Sequence, residues 1–256
     1  VLDIWQEGTG SAVLCLVHPV GGDIQAYRSL VAALGPAPTV CLIADPALRD
    51  TGMSAWSLTE RAHHYDAKLR ERFGGPDHRL HLAGWSYGAR VAMEMAGLAE
   101  SAGLPLEALY LLDPPPPHAH VASYDEAHLE KVFAAELAPG VSALPAGHAA
   151  QAYAERLARC CRANLRSLGE HRVRPLVSVP TYLWLAEHPT AGMPTPADPQ
   201  EADRQWNTCL PPSAVRRYLP TDHYGIVAAP HVDTVAGTIR ATLASSGAGA
   251  RGTADL

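Results

Sequence analysis

The 256-residue chain contains no run of about eighteen apolar residues, so no segment of it reads as a membrane span. Its five cysteines, Cys15, Cys41, Cys160, Cys161 and Cys209, include no CxxC pair. An odd count without such a pair reads as reduced thiols of a cytoplasmic protein rather than a disulfide framework. No HExxH or zinc-type Cys/His spacing occurs. His63-His64 and the His118/His120 pair therefore read as solvated loop histidines, and no metal is expected. Lys and Arg do not cluster, and the formal net charge is −6, which argues against a nucleic-acid partner. The chain opens on VLDIW, with no initiator Met, charged n-region or apolar h-region. It reads as a segment of a longer protein without a secretion signal. No internal repeat is present.

What is present is an alternation of strands and helices. The apolar run 12–18 (AVLCLVH) reads as a buried strand, PVGGD as a turn, and 24–34 as a helix stopped by Gly35-Pro36. A second buried strand follows at 39–45. The stretch 57–73 opens with Ser57 and Glu60 in capping-box spacing and ends at Gly74-Gly75. Then come a strand at 79–84, a helix at 86–101 and a strand at 106–113. This rhythm predicts an α/β fold, with a mostly parallel central sheet covered by helices on both faces, in one domain over 1–256.

The rhythm breaks at PPPPHAH (114–120), because four prolines remove four backbone donors from any helix or central strand. Two helical segments follow, about 124–137 and 147–168. Residues from about 118 to 172 thus read as a helical insertion behind a proline hinge, a candidate lid, with ordinary crossover helices as the alternative. Its arginines Arg156, Arg159, Arg162 and Arg166 fall on one helix face. Beyond it the pattern resumes with a strand at 178–187, a helix near 198–208, a strand at 214–219 and a helix from about Pro230 to Leu243. About 245–256 reads as a disordered tail.

Chemistry concentrates at LHLAGWSYGARVAMEMAG, residues 80–97. Gly84-Trp85-Ser86-Tyr87-Gly88 is G-x-S-x-G between an apolar strand and an amphipathic helix. That context makes Ser86 a nucleophile on a sharp strand-to-helix turn, with glycines where neighbouring backbone comes close. The helix N-terminus also favours negative charge at this point. The plainer alternative is a helix N-cap serine.

A nucleophilic serine needs a base and an orienting acid, in the chain order Ser, acid, His for this kind of elbow. Asp113 and Glu187 both close strands downstream of Ser86. Asp113 is preferred because it ends the next strand, at the same sheet edge as Ser86. His223, on the loop before the last helix, is the expected base, with His231 as its rival. Asp222 is adjacent to His223 and is not expected to orient it. The oxyanion amides are expected from Tyr87, just after the nucleophile, and from Val20 in the HPVGGD loop.

Together HPVGG, LAGWSYGA, LLD before a helical insertion, and DHY...PHV resemble the thioesterase domains of nonribosomal peptide and polyketide synthases, over about Leu14 to Leu243. The Trp before the serine is similar to the integrated chain-terminating type; the editing type usually shows His-Ser-Met there. The resemblance implies an α/β-hydrolase fold with Ser86 as nucleophile, Asp113 as acid, His223 as base, and Val20 and Tyr87 as oxyanion donors. It implies a mobile lid over 118–172 and no cofactor bound by the domain itself. The partner would be an upstream carrier protein, presenting an acyl, peptidyl or polyketide chain on phosphopantetheine for hydrolysis or macrocyclisation. Ala89 departs from the glycine of many relatives, but a small residue still permits tight packing. A fatty-acyl thioesterase with a similar GYSYGA elbow, and a free-standing carboxylesterase, are the alternatives.

Overall fold

The computed structural model describes residues 2–117, 148–190 and 199–248. Its strands are β1 (Leu2–Gln6), β2 (Ala12–Val17), β3 (Thr39–Ile43), β4 (Arg79–Trp85), β5 (Ala108–Leu112), β6 (Thr181–Ala186) and β7 (Val215–Leu219). Its helices are α1 (Arg28–Leu34), α2 (Leu58–Phe73), α3 (Tyr87–Ser101), α4 (His148–Glu170), α5 (Pro199–Asn207) and α6 (His231–Ala248). The strands form one sheet in the order β1-β3-β2-β4-β5-β6-β7, with β1 antiparallel to β3 and every other pairing parallel.

Side-chain alternation along the strands builds two cores, one on each face. Val13, Cys15, Val17, Leu80, Leu82, Leu109 and Leu111 pack with α2, α3 and α4. Leu14, Leu16, Ala83, Trp85, Tyr110 and Leu112 pack with α1 and α6 on the opposite face. Helix α2 starts as its sequence requires: Ser57 Oγ accepts from Glu60 N–H, and the Glu60 carboxylate accepts from Ser57 N–H at 2.7 Å.

Three expectations need correction. β1 was not anticipated, because it is half exposed at the sheet edge and shows no buried apolar run. The second helix of the insertion is present as α4, but its last turns belong to the body. Cys161, Leu165 and Leu168 are buried in the core beside α3, so an apolar stripe seats this stretch where a lid was expected. The first insertion helix, at about 124–137, lies outside the described residues. α6 continues to Ala248, past the start of the expected tail. Alanines favour helix, and Ser245 Oγ donates back to Thr242 O at 2.8 Å. The rest of that tail lies outside the described residues.

All five cysteines are free and buried. Among the described residues no helix is long and apolar enough to cross a membrane. His81, on β4, is fully buried and stacks on Tyr110 at 6.1 Å. Burial, aided by the charge of Arg79, pushes its pKa down to about 4. An unfolded histidine titrates near 6.5, so below that pH the unfolded chain takes up a proton that the folded chain refuses. Stability is therefore lost as pH falls from about 6.5 to about 4, by about 3 kcal/mol for this one group. Urea unfolding of His81→Gln across that window should show a flatter pH dependence than the parent protein.

Candidate active site

β4 delivers Ser86 to the carboxyl edge of the sheet. Ser86 has φ 57° and ψ −128°, a left-handed conformation that is costly for a non-glycine residue. The turn closes tightly around it. A Cβ on Gly84 would overlap the carbonyl group of Gly88, and a Cβ on Gly88 would overlap the carbonyl oxygens of Val17 and His18. These obstacles are backbone and cannot move aside. Gly84→Ala and Gly88→Ala should each destabilise the protein by about 3 kcal/mol or more, read as a lower denaturation midpoint. Although Ser86 occupies the N-cap of α3, its side chain makes no capping hydrogen bond. The N-cap alternative therefore does not account for the hydroxyl.

Ser86 N–H donates to Leu112 O at 2.9 Å, which places the elbow beside the end of β5. The next residue there is Asp113, whose φ of 42° is the other positive value among described non-glycine residues. Its backbone N–H donates to Trp184 O at 2.8 Å and its Oδ1 accepts from Ala186 N–H at 2.9 Å. These bonds from β6 aim the other carboxylate oxygen outward. Asp113 Oδ2 lies 2.6 Å from His223 Nδ1. A carboxylate on Nδ1 makes that nitrogen the proton bearer and leaves Nε2 as the acceptor.

His223 is held on every side. Its N–H donates to Thr190 Oγ1 at 3.0 Å, and its carbonyl accepts from Trp85 Nε1 at 3.1 Å. Its ring stacks on Trp85 at 4.8 Å, and Tyr224 meets it edge-on at 5.4 Å. His223 Nε2 is buried and has no hydrogen-bond partner among the described residues. The Ser86–His223 bond is therefore not closed in this state, and such bonds commonly tighten only around substrate. The rivals stand apart from this arrangement. Glu187 is exposed, with its N–H bonded to Leu219 O. His231 begins α6. Asp222 is exposed and accepts from Gly225 N–H.

The loop after β2 carries Val20, the residue expected to give the second amide. Val20 is buried, and its carbonyl accepts from Asn164 Nδ2 at 2.9 Å. Pro19 O accepts from Gly22 N–H at 2.9 Å and from His18 Nδ1 at 2.8 Å. Burial lowers the His18 pKa; Pro19 O can only accept, so Nδ1 bears the donated proton, and Nε2 lies 2.8 Å from Tyr65 Oη. Tyr87 begins α3 directly after Ser86; burial pushes its phenol up, and its hydroxyl meets Ser167 Oγ at 2.9 Å.

A strained serine at a strand–helix elbow, next to an Asp–His pair at the same sheet edge, is a hydrolase constellation. The sequence profile of the thioesterase domain family matches residues 12–243. The chain belongs to the thioesterase domain family. It is 33% identical over 119 residues to orsellinic acid synthase of Beauveria bassiana, covering 44% of this chain and 5% of that protein. It is 34% identical over 101 residues to the nonribosomal peptide synthetase pngA of Aspergillus terreus, covering 40% of this chain and 10% of that one. The thioesterase domain thus spans a small fraction of the curated relatives it matches. Among solved structures, the NocB thioesterase domain, in covalent complex with a fluorophosphonate nocardicin G analogue, superposes with a TM-score of 0.72 at 22% identity. That match covers 95% of this chain and 99% of the NocB thioesterase domain, and it supports the α/β-hydrolase fold.

The thioesterase domain uses residues that the sequence did not flag. Trp85 ties the elbow to the histidine loop, and Thr190 holds that loop from the other side. A Trp before the serine was legible as a family mark, but not as a support for His223. Arg90, one turn beyond Ser86 on α3, is buried and binds both ends of the insertion. Its Nη1 donates to Pro115 O at 3.1 Å and to Pro116 O at 2.7 Å, while Nη2 lies 3.4 Å from His171 Nδ1.

Proposed function

We propose that the domain releases an acyl, peptidyl or polyketide chain from a phosphopantetheine thioester through an ester on Ser86. The observation that carries this reading is the 2.6 Å Asp113–His223 contact beside a serine in a strained elbow. His223 Nε2 takes the Ser86 proton as Oγ attacks the thioester carbonyl. The carbonyl oxygen becomes an oxyanion and receives the N–H groups of Val20 and Tyr87. The C–S bond then breaks, and the protonated His223 gives its proton to the leaving thiolate. In the second half His223 deprotonates the incoming nucleophile as it attacks the ester carbonyl; the C–Oγ bond then breaks and His223 returns the proton to Ser86 Oγ. Water yields the free acid, whereas an amine or hydroxyl of the same chain yields a macrocycle. Asp113 keeps His223 in the tautomer that serves both halves.

The pantetheine arm points to an upstream carrier protein as partner, a reading supported by the multidomain synthases among the relatives. The reaction as written uses side chains and backbone amides and calls for no bound cofactor. Five buried free thiols accord with a cytoplasmic setting. Rates on acyl-pantetheine thioesters and on oxygen esters of the same acyl groups test the substrate class. Faster thioester turnover, with loss of thiol, is expected. Efficient cleavage confined to oxygen esters would make the protein a carboxylesterase instead.

A further inference from the structure

We propose that Asn164 is a positioning residue for the oxyanion hole, holding the Val20 amide in place from the helix that joins β5 to β6. The inference rests on the reading of Val20 N–H as an oxyanion donor.

The Val20 N–H belongs to the Pro19–Val20 peptide plane. In a trans plane the N–H points opposite to the carbonyl, so the bonds from Gly22 N–H and His18 Nδ1 to Pro19 O set its direction. Fixing one plane still leaves rotation about the Val20 Cα. The following plane must be fixed as well, and its carbonyl is Val20 O. That oxygen takes Asn164 Nδ2 at 2.9 Å. With both planes held, φ and ψ at Val20 are fixed, and the donor is preorganised rather than reoriented during reaction.

Asn164 is itself anchored. It is fully buried, and its Nδ2 also donates to Asp45 Oδ2 at 3.0 Å. The same carboxylate oxygen accepts from Arg61 Nε at 3.2 Å and Cys160 Sγ at 3.2 Å, while Oδ1 accepts from Ala47 N–H at 2.9 Å. Asp45 N–H in turn donates to Gly22 O at 2.9 Å. The carbonyls of Pro19, Val20 and Gly22 are thus all held, two through groups that meet at Asp45. Cys160 and Asn164 lie one helical turn apart on α4, so this helix contacts the cluster twice. The link runs from α4 to the loop after β2.

Asn164→Leu keeps the side-chain volume and removes the donor. With an acyl-pantetheine thioester, kcat should fall about 10–100-fold, somewhat less than the loss of a whole oxyanion donor, with KM within about threefold. A boronic acid that bonds Ser86 Oγ as a tetrahedral anion should weaken by a similar factor. An alkyl-pantetheine thioether, which lacks the thioester carbonyl, should bind as before. A merely structural role would weaken both ligands alike and would overturn the inference, as would a kcat within about threefold of the parent. If Asn164→Leu does not fold, Asn164→Ser is read in the same way. Failure of both to fold assigns Asn164 to the scaffold and overturns the inference too. A Ser86→Ala protein that still turns over would instead overturn the underlying reading. An inactive Ser86→Ala beside an undiminished Asn164→Leu would sink this inference alone.

Discussion

Ser86→Ala is expected to lower thioester turnover by about 10⁵–10⁶-fold while leaving the fold intact. In the proposed route the hydroxyl supplies the atom that bonds the acyl group, so its loss removes that covalent route rather than weakening it. Substrate binding should persist, because the hydroxyl acts on the reacting carbonyl and the rest of the site is unchanged. Stability should change little, since the Ser86 side chain makes no capping bond and alanine occupies the same backbone conformation at similar strain. Steady-state rates and a melting curve on one preparation check both halves. An alanine variant within about tenfold of the parent rate would remove serine from the mechanism.

Asp113→Asn should follow with a loss of about 10⁴-fold in kcat. The amide keeps the shape of the carboxylate, but it can present its NH₂ to His223 Nδ1. That favours the wrong tautomer and puts a proton on Nε2, where a lone pair is needed. Glu187→Gln should change the rate by less than about threefold, because Glu187 is exposed at the end of β6. Comparing kcat for the two variants separates the two acids. A low Glu187→Gln rate beside a normal Asp113→Asn rate would reverse the assignment.

The choice between these acids shows where sequence reading reached its limit. Both Asp113 and Glu187 close apolar strands at the same sheet edge; the sequence favours Asp113 as the end of the next strand after Ser86, but spacing alone does not make the two strands neighbours. Strand pairing does: β5 lies against β4, so the residue after β5 lands beside the elbow, and β6 amides turn its carboxylate toward His223. The elbow was legible because overlap with backbone leaves Gly84 and Gly88 no alternative, and such constraints write themselves into residue type. The alternation of buried strands and helices was legible for the same reason, since burial on both faces of a parallel sheet demands continuous apolar runs. β1 lacked that signature because it is an edge strand. Trp85, Thr190 and Asn164 support the site through contacts between segments far apart in the chain, which no local pattern encodes. The body-packed end of α4 fits the crossover alternative, which sequence does not separate from a lid because a helix stripe looks the same in both.

The central claim is that Ser86 carries the acyl chain, and the mass of the acylated protein tests it most directly. The protein is mixed with an acyl-pantetheine thioester, quenched early in acid, digested and mapped. The account predicts the acyl mass on the peptide containing Ser86, its absence in Ser86→Ala, and its disappearance as product forms. An adduct on another residue, or turnover with no adduct at any quench time in a protein that still needs Ser86, would contradict it.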